Sequence, residues 1–431
     1  MEEIIKKLVS NNIKGDVFFR KGVSISVSFD ANRLKSIDIN ESSGVGLRVI
    51  INGKIGYSSQ YGAYDVNWLF EKAIATTNID TNLKLPEGLN DKDVFSDRAL
   101  ESISVEELVR IGKDMIERVL NVYPDVLCSL EFKKDTGETI IRNTEGIDCK
   151  RKRSILTVGM SVNRIKGTDM LEIYEEIGVK ELSKLDTDKV TSKVIETLDA
   201  SKEITKVSRT RIPVIFTPKA VYVLLLPIVS SLNGKIVVMG ASPLRDKIGE
   251  KTFDEQFSLI EDPSNRDGLA TTSFDDEGVP TSPISLVENG VVSGFYFDLH
   301  TASLMGKDGN GHGFRSGLGQ PSPGLTNLII LAGDKGIKEI ISSLDEVLII
   351  DQMMGVGQGN VLSGEFSVNV HLGYLYRKGE LVGRVKDTMV AGNAYSALSN
   401  VLALSRETEW VEGTLNTPYI CIPELTVVSK V

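Results

Sequence analysis

Two-residue hairpin signals constrain this chain more than any other feature of its sequence. Asn52-Gly53 separates the alternating runs 45–51 and 54–57, and Asn289-Gly290 separates 284–287 from 291–297. Lys378-Gly379 joins a long strand pattern at 365–376 to a second at 381–385. Asn and Gly accept the positive φ that a tight hairpin demands, so each pair predicts antiparallel neighbours. Alternation at 24–29, 127–133, 139–142, 148–162 and 171–179 predicts further strands. Helical periodicity appears at 65–77, with Asp65 as N-cap, and at 187–204. It appears again at 105–122, where Ser104 and Glu107 form a capping box and Pro124 ends the helix. Residues 80–100 carry Pro86 and Gly88 and read as a loop.

A chain of 431 residues exceeds what one core usually serves. The polar, basic stretch 202–211 before Pro213 marks the division. The expected class is α+β: an N-terminal α+β domain at 1–207, with an antiparallel sheet and flanking helices, and a C-terminal β-rich domain at 208–431. The second domain has few helices, at 218–232, 335–344 and 394–404.

A net charge of −10 argues against direct nucleic-acid binding, which needs clustered Lys and Arg. The densest basic run, 150–153, reads as the solvated end of a hairpin. Three cysteines without a CxxC pair fit a reducing, cytoplasmic setting. The opening MEEIIKKLVSNN is an amphipathic helix pattern rather than a signal peptide, and no apolar run approaches the ~20 residues a bilayer requires, so no membrane association is expected.

Chemistry is sparse. The histidines are His300, His312 and His371, and no two are spaced to share a helical face as a zinc-peptidase pair would. His371 lies in the 365–376 strand. Phe366, Val368, Val370, Leu372, Tyr374 and Tyr376 are expected on one face there, and His371 with Ser367 and Asn369 on the other. His312 sits in GKDGNGHGFRSGLGQPSPG from Gly306, either a structural loop or one whose backbone N–H groups grip an anion or extended peptide. Asp275, Asp276 and Glu277 read as a turn whose carboxylates bond nearby N–H groups, with a cation site as the rival. No GxSxG elbow is present.

Seven strings then appear in order: SPLRDKIGE from Ser242, DDEGVPT from Asp275, LVENGVVSGFYFD from Leu286, GNGHGFRS from Gly309, GEFS from Gly364, DTMVAGN from Asp387 and ELTV from Glu424. With GVGLRVIINGKIGYSS in the first hairpins, they resemble the TldD/PmbA family, once labelled modulators of DNA gyrase. In that family a TldD-type subunit carries an HExxxH zinc helix and a C-terminal cysteine ligand and cleaves unfolded peptides, while its TldE (PmbA) partner lacks them. The corresponding helix here reads AVYVLLLPIVSSLNGK from Ala220, which puts Leu225 and Ser230 at the histidine positions and Leu226 at the glutamate. Cys421 falls inside the terminal strand pattern, where it reads as a small buried hydrophobe.

The resemblance therefore implies a PmbA/TldE-type subunit with no catalytic residues, metal or cofactor of its own. Zinc would reside in a TldD-like partner, unfolded peptide would be the substrate, and a homodimer would form when the chain is alone. A vacant groove is expected beside Leu225 and Ser230. Candidate contacts to peptide or chamber are His312, Arg315, Asp275, Asp276, Glu277 and His371. The rival readings are an autonomous hydrolase in which His312, His371 and the acidic triplet converge, and a non-enzymatic regulator binding gyrase or a toxin–antitoxin protein.

Overall fold

Long hairpins build the first sheet of the protein, whose computed structural model describes residues 1–429. Strands Lys14–Asp30 and Arg33–Ile51 pair antiparallel along their whole length, and Lys54–Tyr61 follows through the Asn52-Gly53 turn. On the other side, Lys14–Asp30 pairs with Val126–Asn143, which pairs in turn with Asp148–Lys166 and then Asp169–Val179. The strands are longer than the alternation at 24–29 or 127–133 suggests. The first hairpin turns at Ala31 and Asn32, both at positive φ, a conformation Ala seldom adopts. Helices Val66–Ala75 and Val105–Val122 start where expected. The Asp65 carboxylate accepts from Asn67 and Trp68, and the Ser104 hydroxyl accepts from Glu107. Within 80–100 the chain is not all loop, since Lys92–Phe95 adds a parallel strand beside Asp148–Lys166 and Arg98–Ser102 is helical.

The second sheet is centred on Arg211–Phe216, flanked by Glu346–Met354 in parallel and Leu415–Ser429 antiparallel. The architecture is thus α+β, with a β-rich C-terminal half. Helix Ala394–Leu398 is shorter than predicted. Its continuation instead becomes strand Ala403–Val411, which pairs with Leu415–Ser429 and buries Leu404 in the core.

Strand Glu365–Arg377 corrects the single-face expectation. Phe366, Val368 and Val370 pack in the C-terminal core, but so does odd-numbered Leu375, whereas Leu372 and Tyr374 pack into the N-terminal core and Tyr376 into a third cluster. The pairing with Glu346–Met354 slips at Gln352, and an irregularity there exchanges the faces. Leu372 is fully buried among residues that include Val162, Val190 and Val194. The Tyr374 hydroxyl lies 3.0 Å from the Ser201 hydroxyl, and both Asp169 carboxylate oxygens accept from Arg384 at 2.6 Å. The two halves are bound through a shared core and a partly buried ion pair.

Candidate functional site

The acidic triplet sits at the junction of the two halves and is enclosed. Asp275, Asp276 and Glu277 are all buried. Arg48, from the middle of an N-terminal strand, donates through Nε to Asp16 and through Nη1 to Glu277, each at 2.5 Å. Arg315 donates through Nη2 to the other Asp16 oxygen at 2.7 Å. Arg151 donates to Asp276 and, at 3.0 Å, to the Phe274 carbonyl. Strand pairing places Asp16 opposite both Arg48 and Asn143, so the sheet itself aligns part of this network.

Among the described residues no Lys, Arg or His pairs with Asp275. It accepts instead from the N–H groups of Glu277 and Val279 at 2.9 Å and of Gly313 at 2.8 Å. Asp276 accepts from the Arg315 N–H at 2.9 Å. The glycine-rich loop therefore does grip anions, and they are the chain's own carboxylates. A side chain at Gly313 would place its Cβ 2.0 Å from Glu277 Oε2, so only glycine lets the loop close here. Burial, followed by the Glu277 charge, raises the Asp275 carboxyl well above its usual range. Burial also raises Glu277, although Arg48 works the other way. Burial opposes the Arg48 charge, but Asp16 and Glu277 outweigh it and hold the guanidinium above its ordinary value.

Most of the expected peptide contacts are therefore turned inward. Asp275, Glu277 and His312 are sealed among protein atoms, while Asp276 and Arg315 line the end of a cleft over the N-terminal sheet. His312 Nδ1 donates to the Asn310 carbonyl at 2.8 Å, and its Nε2 lies 3.5 Å from Glu261, whose carboxylate is engaged by Thr326. His371 is elsewhere, half-buried with its Nε2 3.6 Å from Glu172 of the N-terminal sheet. The fold does not bring His371 to the triplet, so no hydrolytic constellation of these groups forms. The 150–153 run is solvated only in part: Lys150 and Lys152 are exposed, whereas Arg151 is buried against Asp276 and Arg153 donates to the Thr271 carbonyl at 2.7 Å. Arg48 carried a signal that the reading of the sequence passed over, a lone charge inside the apolar run LRVII.

Helix Tyr222–Ser231 packs its Val223, Leu224, Leu225 and Ile228 into the core around interior Pro227. Leu225, beside which a groove is expected, is itself buried in the core. Gly355, Val356, Gly357 and Phe366 cover Leu226 and Pro227 and leave a cavity of only about 30 Å³. Leu225 and Leu226 offer no electron pair, and Ser230 offers one hydroxyl, so these residues do not fit a zinc ion. Among the described residues no group of three or more His, Cys, Asp and Glu side chains is placed to hold a metal. Cys421 lies in the terminal strand, where burial pushes its thiol up to about 12.

This architecture of two strand-rich halves has known counterparts. Family models match residues 15–82 as PmbA/TldA metallopeptidase domain 1 and residues 209–429 as the PmbA/TldA metallopeptidase C-terminal domain. The second match spans more than half of the chain, which therefore belongs to the PmbA/TldD family. It is 24% identical to the uncharacterized protein MJ0231 of Methanocaldococcus jannaschii over 94% of both chains. It is also 24% identical to a metalloprotease PmbA homolog of Haemophilus influenzae, over 91% of this chain and 88% of that one. Among solved structures, TldE from Thermococcus kodakarensis superposes with a TM-score of 0.91 at 22% identity, covering 100% of both chains, so the two share a fold.

Proposed function

We propose that this chain is the TldE-type companion subunit of a two-chain metallopeptidase. A TldD-like partner supplies the catalytic zinc, and the complex degrades or processes unfolded peptides. One observation carries the reading: Leu225, Leu226 and Ser230 of helix Tyr222–Ser231, which the family resemblance aligns with the zinc ligands and the water-activating carboxylate, carry two hydrocarbon side chains and one hydroxyl. Leucine cannot donate to a metal or take a proton from water. The likeness in fold to TldE supports a subunit role.

An open sheet edge suits docking. Lys54–Tyr61 pairs only with residues 44–51 of its neighbour, so residues 33–43 have a strand on one side alone among the described residues. That segment exposes Leu34, Ile37 and Ile39. Free backbone groups with apolar side chains accept an added strand without demanding a particular sequence. The setting is the cytoplasm, in keeping with three free, buried cysteines.

Elemental analysis and peptide-cleavage assays test the reading. The purified chain is expected to hold no stoichiometric zinc and to leave unfolded peptides intact, and cleavage is expected once a TldD-like chain is added. Stoichiometric zinc in the lone chain, or cleavage by it, would overturn the assignment.

A further inference from the structure

The face of the N-terminal sheet that meets the C-terminal half carries more positive charge than its partners neutralise. Strand register lays the side chains out in rows. Arg20, Thr139 and Arg151 lie side by side across three strands, and Gly22, Gly137 and Arg153 form the next row. The glycines leave a floor without side chains, and above it opens a cleft of about 600 Å³ walled by Arg20, Arg151, Arg153 and Arg315.

The carboxylates of the cleft are already engaged. Asp276 is held by Arg151 and the Arg315 N–H, Glu138 by Lys21 and Lys150, and Asp135 lies 3.8 Å from Lys133. Arg151 and Arg315 are likewise occupied, by Asp276 and Asp16. Arg20 and Arg153 are different, since neither has a carboxylate partner among the described residues. Arg153 donates only to the Thr271 carbonyl, and its Nε is buried without a hydrogen-bond partner. Asp93, the other acid near Arg153, accepts from the Ser273 N–H. Burial, and then the neighbouring Arg151, bring Arg153 down to about 9, while burial and Arg153 bring Lys180 down to about 8. A half-buried guanidinium in that position has no paired carboxylate.

We infer that the Arg20–Arg153 cleft binds a carboxylate group of an extended peptide lying over the Gly22–Gly137 floor. Guanidinium forks match carboxylates in shape, and the side-chain-free floor lets a peptide backbone approach closely. A volume of about 600 Å³ accommodates a few residues of peptide. The choice of peptide as occupant rests on the function proposed above, whereas the demand for an anion rests on the arginines alone.

Calorimetric titration of the purified full chain tests this with N-acetyl-trialanine bearing a free C-terminal carboxylate, its C-terminal amide, and an amidated peptide containing one aspartate. The free acid should bind on the order of tenfold more tightly than the amide, as befits a charge-assisted contact. Restored binding by the aspartate peptide assigns the site to carboxylates in general, and no restoration assigns it to chain termini. Arg153→Gln should abolish the preference. Arg20→Gln, on an exposed residue that carries no fold risk, should weaken it severalfold even if the first variant misfolds. Equal binding of acid and amide, no binding of either, or an unchanged preference in a folded Arg20→Gln protein would refute the site. The zinc and partner assays are independent of these titrations, so failure here leaves the companion-subunit reading standing, and the reverse holds too.

Discussion

Replacing Arg48 by methionine tests the ionic strut directly. Arg48 is almost fully buried and contacts two carboxylates at 2.5 Å, Asp16 and Glu277, whose side chains have no solvent exposure. After Arg48→Met, Asp16 keeps Arg315 at 2.7 Å, but Glu277 keeps only the Leu299 N–H, also at 2.7 Å. One buried carboxylate is thus left without a cation, and breaking a buried pair in this way costs ~3–5 kcal/mol. Against a typical domain stability of ~5–15 kcal/mol that is a large fraction. Adding Glu277→Met removes the stranded charge and should recover most of the loss, because hydrophobic replacement of both partners is often close to neutral.

Urea unfolding followed by tryptophan fluorescence measures this in each half, since Trp68 and Trp410 are the only tryptophans and lie on opposite sides of the junction. Single Trp→Phe backgrounds isolate each signal. Arg48→Met should lower both midpoints, because the network joins the halves. A loss below about 1 kcal/mol, the scale of a surface pair, or a double variant no more stable than the single one, would show that the network is not load-sharing in the way its geometry implies.

Two further outcomes follow from the buried titratable groups. The folded-state pKa of Asp275 is raised above its unfolded value of about 3.9, so between the two the folded protein binds more protons and this group makes stability fall as pH rises. The stability of the natural chain relative to Asp275→Asn should therefore grow as pH is lowered from about 7 towards 4, and a pH-independent difference in urea midpoint would contradict it. Burial pushes Cys128 and Cys149 up to about 11 and Cys421 up to about 12, so a thiol-specific disulfide reagent near pH 8 should leave the native chain almost unlabelled and modify all three in urea. Rapid native labelling of Cys421 would show that the terminal strand opens.

Much of the fold was legible because its signals are local. The Asn52-Gly53 and Lys378-Gly379 turns, the Asp65 and Ser104 caps, and the hydrocarbon at Leu225 and Leu226 all depend on neighbours a few residues away. The hairpin at Ala31 and Asn32 was not, because no turn chemistry announces an alanine at positive φ. Nor was the face exchange after Val370, where His371 is an extra residue with no opposite number on the partner strand.

The chemistry of this chain divides along the same line. Its sequence alone determined that no two histidines are three or four residues apart, and that helix Tyr222–Ser231 holds no histidine, cysteine or carboxylate, since side-chain identity settles both. Only tertiary structure decided where the charged residues point. Glu277 meets Arg48 and Asp276 meets Arg151 across more than a hundred residues of chain, and burial turned expected surface contacts into an internal strut. Which arginines are matched with a carboxylate and which remain unmatched depends on distances across the folded sheet, and those distances exist only once the strands have paired.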